Sequence, residues 1–364
     1  MRKPISAIVT VMVLCNPLPE TLHAQMTGKE KACSSNLSEW SVVARGRMSR
    51  ERDVRPLQIV RMDNNGEILY ACLEAQTTDQ LRSAGIEFRR SQLELLVDWG
   101  LLEYDGDVET YKTTIHVYGP EKIAEIRSRV RASVEHLAGV LSADLDSLKA
   151  YLREFGREQN MFAVLYAYVL HGYAMDQFSE EIYREPQLSA GHPFWNGFAW
   201  ALCPATNFPV GNIVFPVEDA RFFTVRSNSI EGPGIQQYAE LAKDVATDLK
   251  VDKQDLKNTF SSCDIFDESG RLTIPVFEGT WAAKLENMAR RIYSETVALA
   301  ESPEVQEILG MSSQAQAAMF IHYEVRYAFL DHLLRSETIQ TPIDFENGDR
   351  NGPDDIGSLV FLIR

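Results

Sequence analysis

Ile123, Ile126, Val130, Val134, Leu137 and Leu141 recur at steps of three and four residues along an otherwise polar segment. That spacing predicts one amphipathic helix, and Pro120 suits its first turn. Leu145, Leu148, Leu152 and Phe155 mark a second helix, closed by Gly156. Met161 to Phe178 has no polar stripe: apolar nearly all round, it predicts the buried central helix of a larger domain. Pro186, Pro193, Pro204, Pro209 and Pro216 break up the next stretch, which reads as a long loop with short strands at Ile213 to Val217 and Arg221 to Val225. Helical spacing returns near Ile235 to Leu249, Asp255 to Ser262, Trp281 to Ala300 and Ser312 to Ser336. Between these, Asp267-Glu268-Ser269-Gly270 predicts a turn leading into a strand at Leu272 to Phe277.

From Pro56 to Gly119 the elements are shorter. Leu57 to Met62 and Glu67 to Cys72 read as strands joined by a tight turn at Asp63-Asn64-Asn65-Gly66, because Asn and Gly tolerate positive φ. Thr77 or Thr78 can cap a short helix through Ser83, which Gly85 ends. Ser91 opens another, with Leu93, Leu96 and Val97 at helical spacing and Gly100 as its stop. Leu101 to Tyr104, a turn at Asp105-Gly106-Asp107, and Thr110 to Val117 then form a second hairpin.

Gly85-Ile86 between these two helices, Leu95-Leu96 and Trp99-Gly100-Leu101-Leu102 at the second helix and first wing strand, and Tyr111 in the returning strand carry a likeness of pattern. The stretch Thr77 to Tyr118 resembles a winged-helix module. In most relatives of that architecture the second helix enters the DNA major groove. Here that helix carries Glu94 and Asp98, and the wing carries Glu103, Asp105, Asp107 and Glu109, with Arg89 and Arg90 as the local cations near the helix start. Repulsion from phosphate argues against nucleic acid as a partner and leaves a small α+β module used for packing or protein contact.

The N-terminus reads as a secretory signal: Arg2 and Lys3 form a basic start, Ile5 to Cys15 an apolar run, and Asn16 to Ala24 a polar end before Gln25. The run is too short to span a bilayer, which needs about 20 apolar residues. A lipoprotein signal at Cys15 is disfavoured because Leu14 is not small. The resulting division is 1–24 signal peptide, 25–55 polar lead-in, 56–119 winged-helix-like module and 120–364 mainly helical domain. The fold class expected is α+β, mainly α, in an exported periplasmic or extracellular chain with no transmembrane span. The formal net charge of −16 becomes one unit more negative on cleavage, since Arg2, Lys3 and Glu20 together carry plus one. That balance again disfavours polyanionic partners. Four cysteines stay after cleavage, and an even count in an exported protein suggests up to two disulfides. Cys33 with Cys72 and Cys203 with Cys263 respects the division; reduced, buried thiols are the alternative.

Candidate chemistry concentrates in two places. One is Gly191 to Cys203, where Trp195, Phe198 and Trp200 offer aromatic faces for a glycan or other small molecule, and Cys203 with His192 or His322 is a weak nucleophile and base set. Such a loop more commonly fills a gap between helices. The other is the last long helix, where His322 and Arg326 are four apart and share a face, while His332 points elsewhere. Glu324 or Arg326, if buried, belongs to a structural ion pair or to a pocket. His171 reads as a satisfied helix-end histidine. No metal or cofactor motif is present: His pairs at zincin spacing, Cys-x-x-Cys, glycine-rich phosphate loops and a Gly-x-Ser-x-Gly elbow are all missing, and Asn347 to Gly352 lacks the acid a calcium loop needs. The function expected is a non-enzymatic interaction or ligand-binding protein with an unidentified protein, small-molecule or glycan partner. The alternative is a secreted hydrolase with its pocket between the 191–203 stretch and the 312–336 helix.

Overall fold

Pro120 lacks an amide hydrogen and opens a helix without cost, and nine apolar residues from Ile123 to Leu152 then bury one continuous face. The result is a single 35-residue helix, Pro120–Glu154, where the sequence suggested two. Nothing at Ser142-Ala143-Asp144 interrupts the three-and-four spacing, so the helix runs on until Gly156 takes φ +66°. The computed structural model describes residues 40–48, 56–182, 195–204, 210–227, 235–260, 265–267, 269–340 and 359–364. Over these the fold is mixed α+β and mainly helical.

The elements in chain order are β1 Trp40–Met48, α1 Pro56–Arg61, α2 Asn65–Ala71, β2 Gln76–Thr77, α3 Thr78–Ser83, α4 Arg90–Asp98, β3 Leu102–Asp105, β4 Thr110–Thr113, β5 His116–Val117 and α5 Pro120–Glu154. They continue with α6 Asn160–Ala163, a π-helical segment Val164–Tyr173, α7 Ala174–Ile182, β6 Trp195–Pro204, β7 Val210–Val217, β8 Ala220–Ser227, α8 Ile235–Asp248 and α9 Gln254–Thr259. Then come β9 Val276–Phe277, α10 Thr280–Glu301, α11 Pro303–Leu309, α12 Gln314–Arg335 and β10 Val360–Ile363.

The expected hairpin at residues 57–72 is instead the helix pair α1 and α2. Ile59 and Val60 are both buried, as are Ile68 and Leu69. Sequence neighbours on a strand point to opposite faces, so a two-stranded hairpin would leave one of each pair in water; on a helix both fit one wide apolar face. The Asn65 side chain donates to the Ile59 carbonyl at 2.7 Å and fixes the turn between them. The cap at Thr77 forms as expected, its hydroxyl accepting from the Gln80 amide while the Gln80 side chain accepts from the Thr77 amide. Strands β2, β4 and β3 make a three-stranded antiparallel sheet beside α3 and α4. A separate core of Ile59, Ile68, Leu81, Leu93, Leu96 and Trp99 fills this module.

The polar lead-in contains a strand: β1 pairs antiparallel with β6 from Trp40↔Pro204 to Met48↔Trp195, and β5 joins the other edge of β6. Of the stretch expected as a proline-broken loop, residues 195–204 are strand, the strands expected at 213–217 and 221–225 lie within β7 and β8, and Pro186, Pro193 and Pro209 lie outside the described residues. Pro204 ends β6, and Pro216 sits in β7, an edge strand where a missing amide donor is tolerated. Strands β7, β8, β10 and β9 form a four-stranded sheet in that order, with β10 antiparallel to β8 and parallel to β9. One core lies between this sheet, α5, the π-helical segment, α10 and α12; a second, of Phe222, Tyr238, Leu241, Val245, Phe260, Val360 and Leu362, lies under α8 and α9. The region past residue 120 thus has two cores. The strand expected at residues 272–277 shortens to Val276–Phe277, and α11 and β10 were not foreseen.

Met161 to Phe178 is buried as its composition demands: Phe162, Leu165 and Val169 are each at most 1% exposed. Its middle ten residues, however, take the wider i→i+5 winding. Such windings are usually single turns and gather at functional sites. At Gly172 an added Cβ would lie 3.1 Å from the Ala167 carbonyl oxygen, five residues earlier, so this position is tight.

Candidate functional site

Helix α12 begins at Ser313, whose side chain accepts from the Gln316 amide, and is buried on almost every side from Ala317 to Leu330. Residues two apart on a helix point roughly 200° away from each other. Glu324 and Arg326 are such a pair, and both are interior, so each needs its own partner.

Glu324 finds a cation. Arg127 of α5 donates to it from Nε at 2.8 Å and from Nη2 at 3.2 Å, and Nη2 also donates to the Pro204 carbonyl at 2.7 Å. Burial alone would lower the Arg127 pKa, but the hydrogen bonds and charge of Glu324 hold it above the ordinary value. This is the structural ion pair expected on α12, and it ties α12, α5 and β6 together.

Arg326 finds no acid. It is 1% exposed and faces the π-helical segment, where Nη1 lies 2.8 Å from His171 Nδ1; Nη2 donates to the Tyr327 hydroxyl at 2.8 Å. Three rings frame the guanidinium, with centroids at 4.6 Å for Tyr327, 5.1 Å for Tyr323 and 5.6 Å for Tyr166. Its Nε–H has no hydrogen-bond partner, and among the described residues it forms no ion pair. A guanidinium only donates, so Nδ1 of His171 accepts and the ring is neutral with its proton on Nε2. Tyr166 supplies no negative charge either: burial drives its hydroxyl pKa up and outweighs the opposing pull of Arg326. Taking a cation out of water costs several kcal/mol even after relaxation. Desolvated cation–π contacts return about 2 kcal/mol for a good ring. The rings offset much of the cost, but among the described residues no acid faces the guanidinium.

His322, one turn before Arg326, places Nε2 2.7 Å from the Leu170 carbonyl and packs its ring 4.8 Å from that of Phe178. His322 and Arg326 therefore meet consecutive residues, Leu170 and His171, of one π-helical turn. His171 is buried in mid-helix, since the helix continues to Ile182, and is not the helix-end histidine expected. His332 is half-buried and apart from this group.

The other candidates separate. Trp195, Phe198 and Trp200 lie on strand β6 rather than on a loop; Trp195 pairs with Met48, Phe198 with Arg45, and Trp200 is the extra residue of a bulge opposite Val43 and Ala44. His192, Cys33, Cys263, the signal segment and Asn347 to Gly352 lie outside the described residues. In place of the suggested disulfides, Cys72 and Cys203 are free, buried thiols. Burial pushes Cys72 up to about 11. Cys203 rises to about 12 through burial and then the Glu324 charge, against a smaller pull from Arg127. Glu324 and His322 face opposite ways on α12, so among the described residues the thiol has the acid beside it and not the histidine. Both thiols are expected to be silent to Ellman's reagent in the native protein and to react once it is denatured; rapid native labelling of Cys203 would contradict this environment.

A surface recess between α8 and α9, lined by Gln237, Glu240, Lys253 and Asp255, holds one cation, already paired with Asp244 at 2.8 Å. Among the described residues no group of three His, Cys, Asp or Glu side chains could hold a metal ion, and no helix is long and apolar enough to cross a membrane. Comparison with protein-family models, curated proteins and solved structures finds no match for the chain.

The sequence pointed to Arg326 but not to its frame. His171 was singled out only as a helix-end residue, and Tyr166 belonged to a segment read for its apolarity. The available signal was a histidine in an otherwise apolar helix, together with an arginine flanked by aromatic residues in another.

Proposed function

We propose that this chain is an exported ligand-binding protein that takes an anion at Arg326. One observation carries the reading: a guanidinium 1% exposed sits among three tyrosine rings and a neutral histidine and, among the described residues, pairs with no carboxylate. A cation needed only for packing would be better served by the arrangement Glu324 gives Arg127. A planar donor fork with N–H groups to spare suits an oxyanion. In this reading the winged-helix-like stretch Thr77 to Tyr118 is a packing or protein-contact module, because Glu94 already neutralises Arg90 on α4.

A ligand at about 100 times its Kd stabilises the native state by about 2.7 kcal/mol. At least one of acetate, nitrate, benzoate, octanoate, phosphate, sulfate and succinate is therefore expected to raise the melting temperature by several degrees, with the response lost in Arg326→Gln. If none of them does, the anion site is refuted. Export rests on the N-terminal pattern, and sequencing of secreted material is expected to begin at or beside Gln25; an intact Met1 in a cytosolic fraction would remove that part of the proposal.

A further inference from the structure

We infer that the hairpin of β3 and β4 is a docking surface for an extended, Lys/Arg-rich segment of a partner protein. The inference specifies the protein-contact role given to this module above and is independent of the anion site. Every residue from Glu103 to Glu109 is exposed. Four of them are acids, Glu103, Asp105, Asp107 and Glu109, and Lys112 is the only cation between Leu102 and Thr113. Other surface acids of the module are paired, Asp79 with Arg82 and Glu94 with Arg90, each at 2.9 Å; among the described residues these four form no ion pair. Local folding accounts for one of them, since the Asp105 carboxylate accepts from the Asp107 amide at 2.9 Å and shapes the turn. Glu109 works against the turn: its φ is +52°, a left-handed backbone that glycine or asparagine adopts more cheaply.

Apolar groups beside the acids set this hairpin apart from a merely solvated turn. Tyr104 packs on its cross-strand partner Tyr111 with ring centroids 4.8 Å apart, yet stays 45% exposed. Val108, on the turn, is 59% exposed, more than any other large hydrophobic side chain among the described residues. A Lys or Arg side chain can use all of this: carboxylates for its charged head, a ring face for cation–π contact and apolar surface for its stem. Strand β3 is also the outer strand of its sheet, and strand addition along such an edge is a recurring mode of peptide recognition. Charge selects among occupants. The hairpin of a second copy would bring the same acids to the same place, and nucleic acid or an anionic membrane would be repelled in the same way.

Fluorescence anisotropy of a short labelled peptide of alternating Arg and Val, titrated with the full chain at low salt, tests the assignment. Binding is expected, falling as salt rises, with none for a peptide of alternating Glu and Val. Neutralising the hairpin with Glu103→Gln, Asp105→Asn, Asp107→Asn and Glu109→Gln is expected to weaken binding about tenfold or more. A control with Glu125→Gln, Glu135→Gln, Asp146→Asn and Glu301→Gln removes as much charge from exposed positions on α5 and α10 and is expected to stay within about twofold of the parent. Tyr104→Ser with Val108→Ser is expected to cost about two- to fivefold, the size of an exposed cation–π contact. All these side chains are exposed, so the variants are expected to fold and melt like the parent. Equal losses in the two neutralised variants would mean attraction to the net charge of the chain and would overturn the docking surface. Undiminished affinity in Tyr104→Ser with Val108→Ser would overturn it too, because charge alone would then suffice. So would a parent that binds no peptide, above all if the neutralised hairpin self-associates, since its acids would then only guard an outer strand. None of these results bears on the anion site, which is read by Arg326→Gln.

Discussion

Leu165→Asp is expected to leave no folded helical core at ambient temperature. Leu165 is fully buried in the middle of the π-helical segment, which packs against α10, α12 and β8. Removing a buried leucine side chain alone costs about 2 to 5 kcal/mol. A carboxylate in its place adds an unpaired buried charge, which costs several more. The sum reaches the whole stability of an ordinary domain, about 5 to 15 kcal/mol. Circular dichroism should show loss of most helical signal, while Leu165→Met, which conserves volume, should cost less than about 1.5 kcal/mol. A Leu165→Asp protein melting within a few degrees of the parent would mean that this helix is not interior.

The second large effect is expected at Arg127. Arg127→Met strands Glu324, whose side chain is 6% exposed, and breaking a buried pair from one side costs about 3 to 5 kcal/mol. Replacing both members, Arg127→Met with Glu324→Met, should recover most of that loss, because no charge is then left without its partner. Recovery should stay incomplete, since Arg127 also donates to the Pro204 carbonyl. Chemical denaturation of the parent, the single variants and the double variant gives the coupling directly. Additive single effects would show that the pair does not act as a unit.

Helices announced themselves where apolar spacing was long. The Ile123 to Leu152 stripe and the burial of Met161 to Phe178 could be read from residue order, because each extends over many turns and no alternative structure buries the same positions. Short runs were ambiguous. Ile59-Val60 and Ile68-Leu69 fit either a strand or a helix until their neighbours are known. Strand β6 was hidden because its partner, β1, is 147 to 164 residues away, and pairing at that distance leaves no local trace. The π winding has no sequence signature of its own: Val164 to Tyr173 looks like any apolar helix. For the candidate site, Arg326 and His322 were visible as polar residues on an aromatic helix. That Glu324 would take the available cation and Arg326 would be left with tyrosines depends on which elements face α12, a tertiary fact.

Strand β10 is buried on both faces. Leu359, Phe361 and Ile363 point into the core around the π-helical segment, while Val360 and Leu362 point into the core under α8 and α9. A five-residue stretch is thus a wall common to two interiors, and pulling it away would open both at once and expose the edges of β8 and β9. Neither interior can melt while the other stays dry, so the two should behave as one cooperative unit despite their separate side-chain inventories.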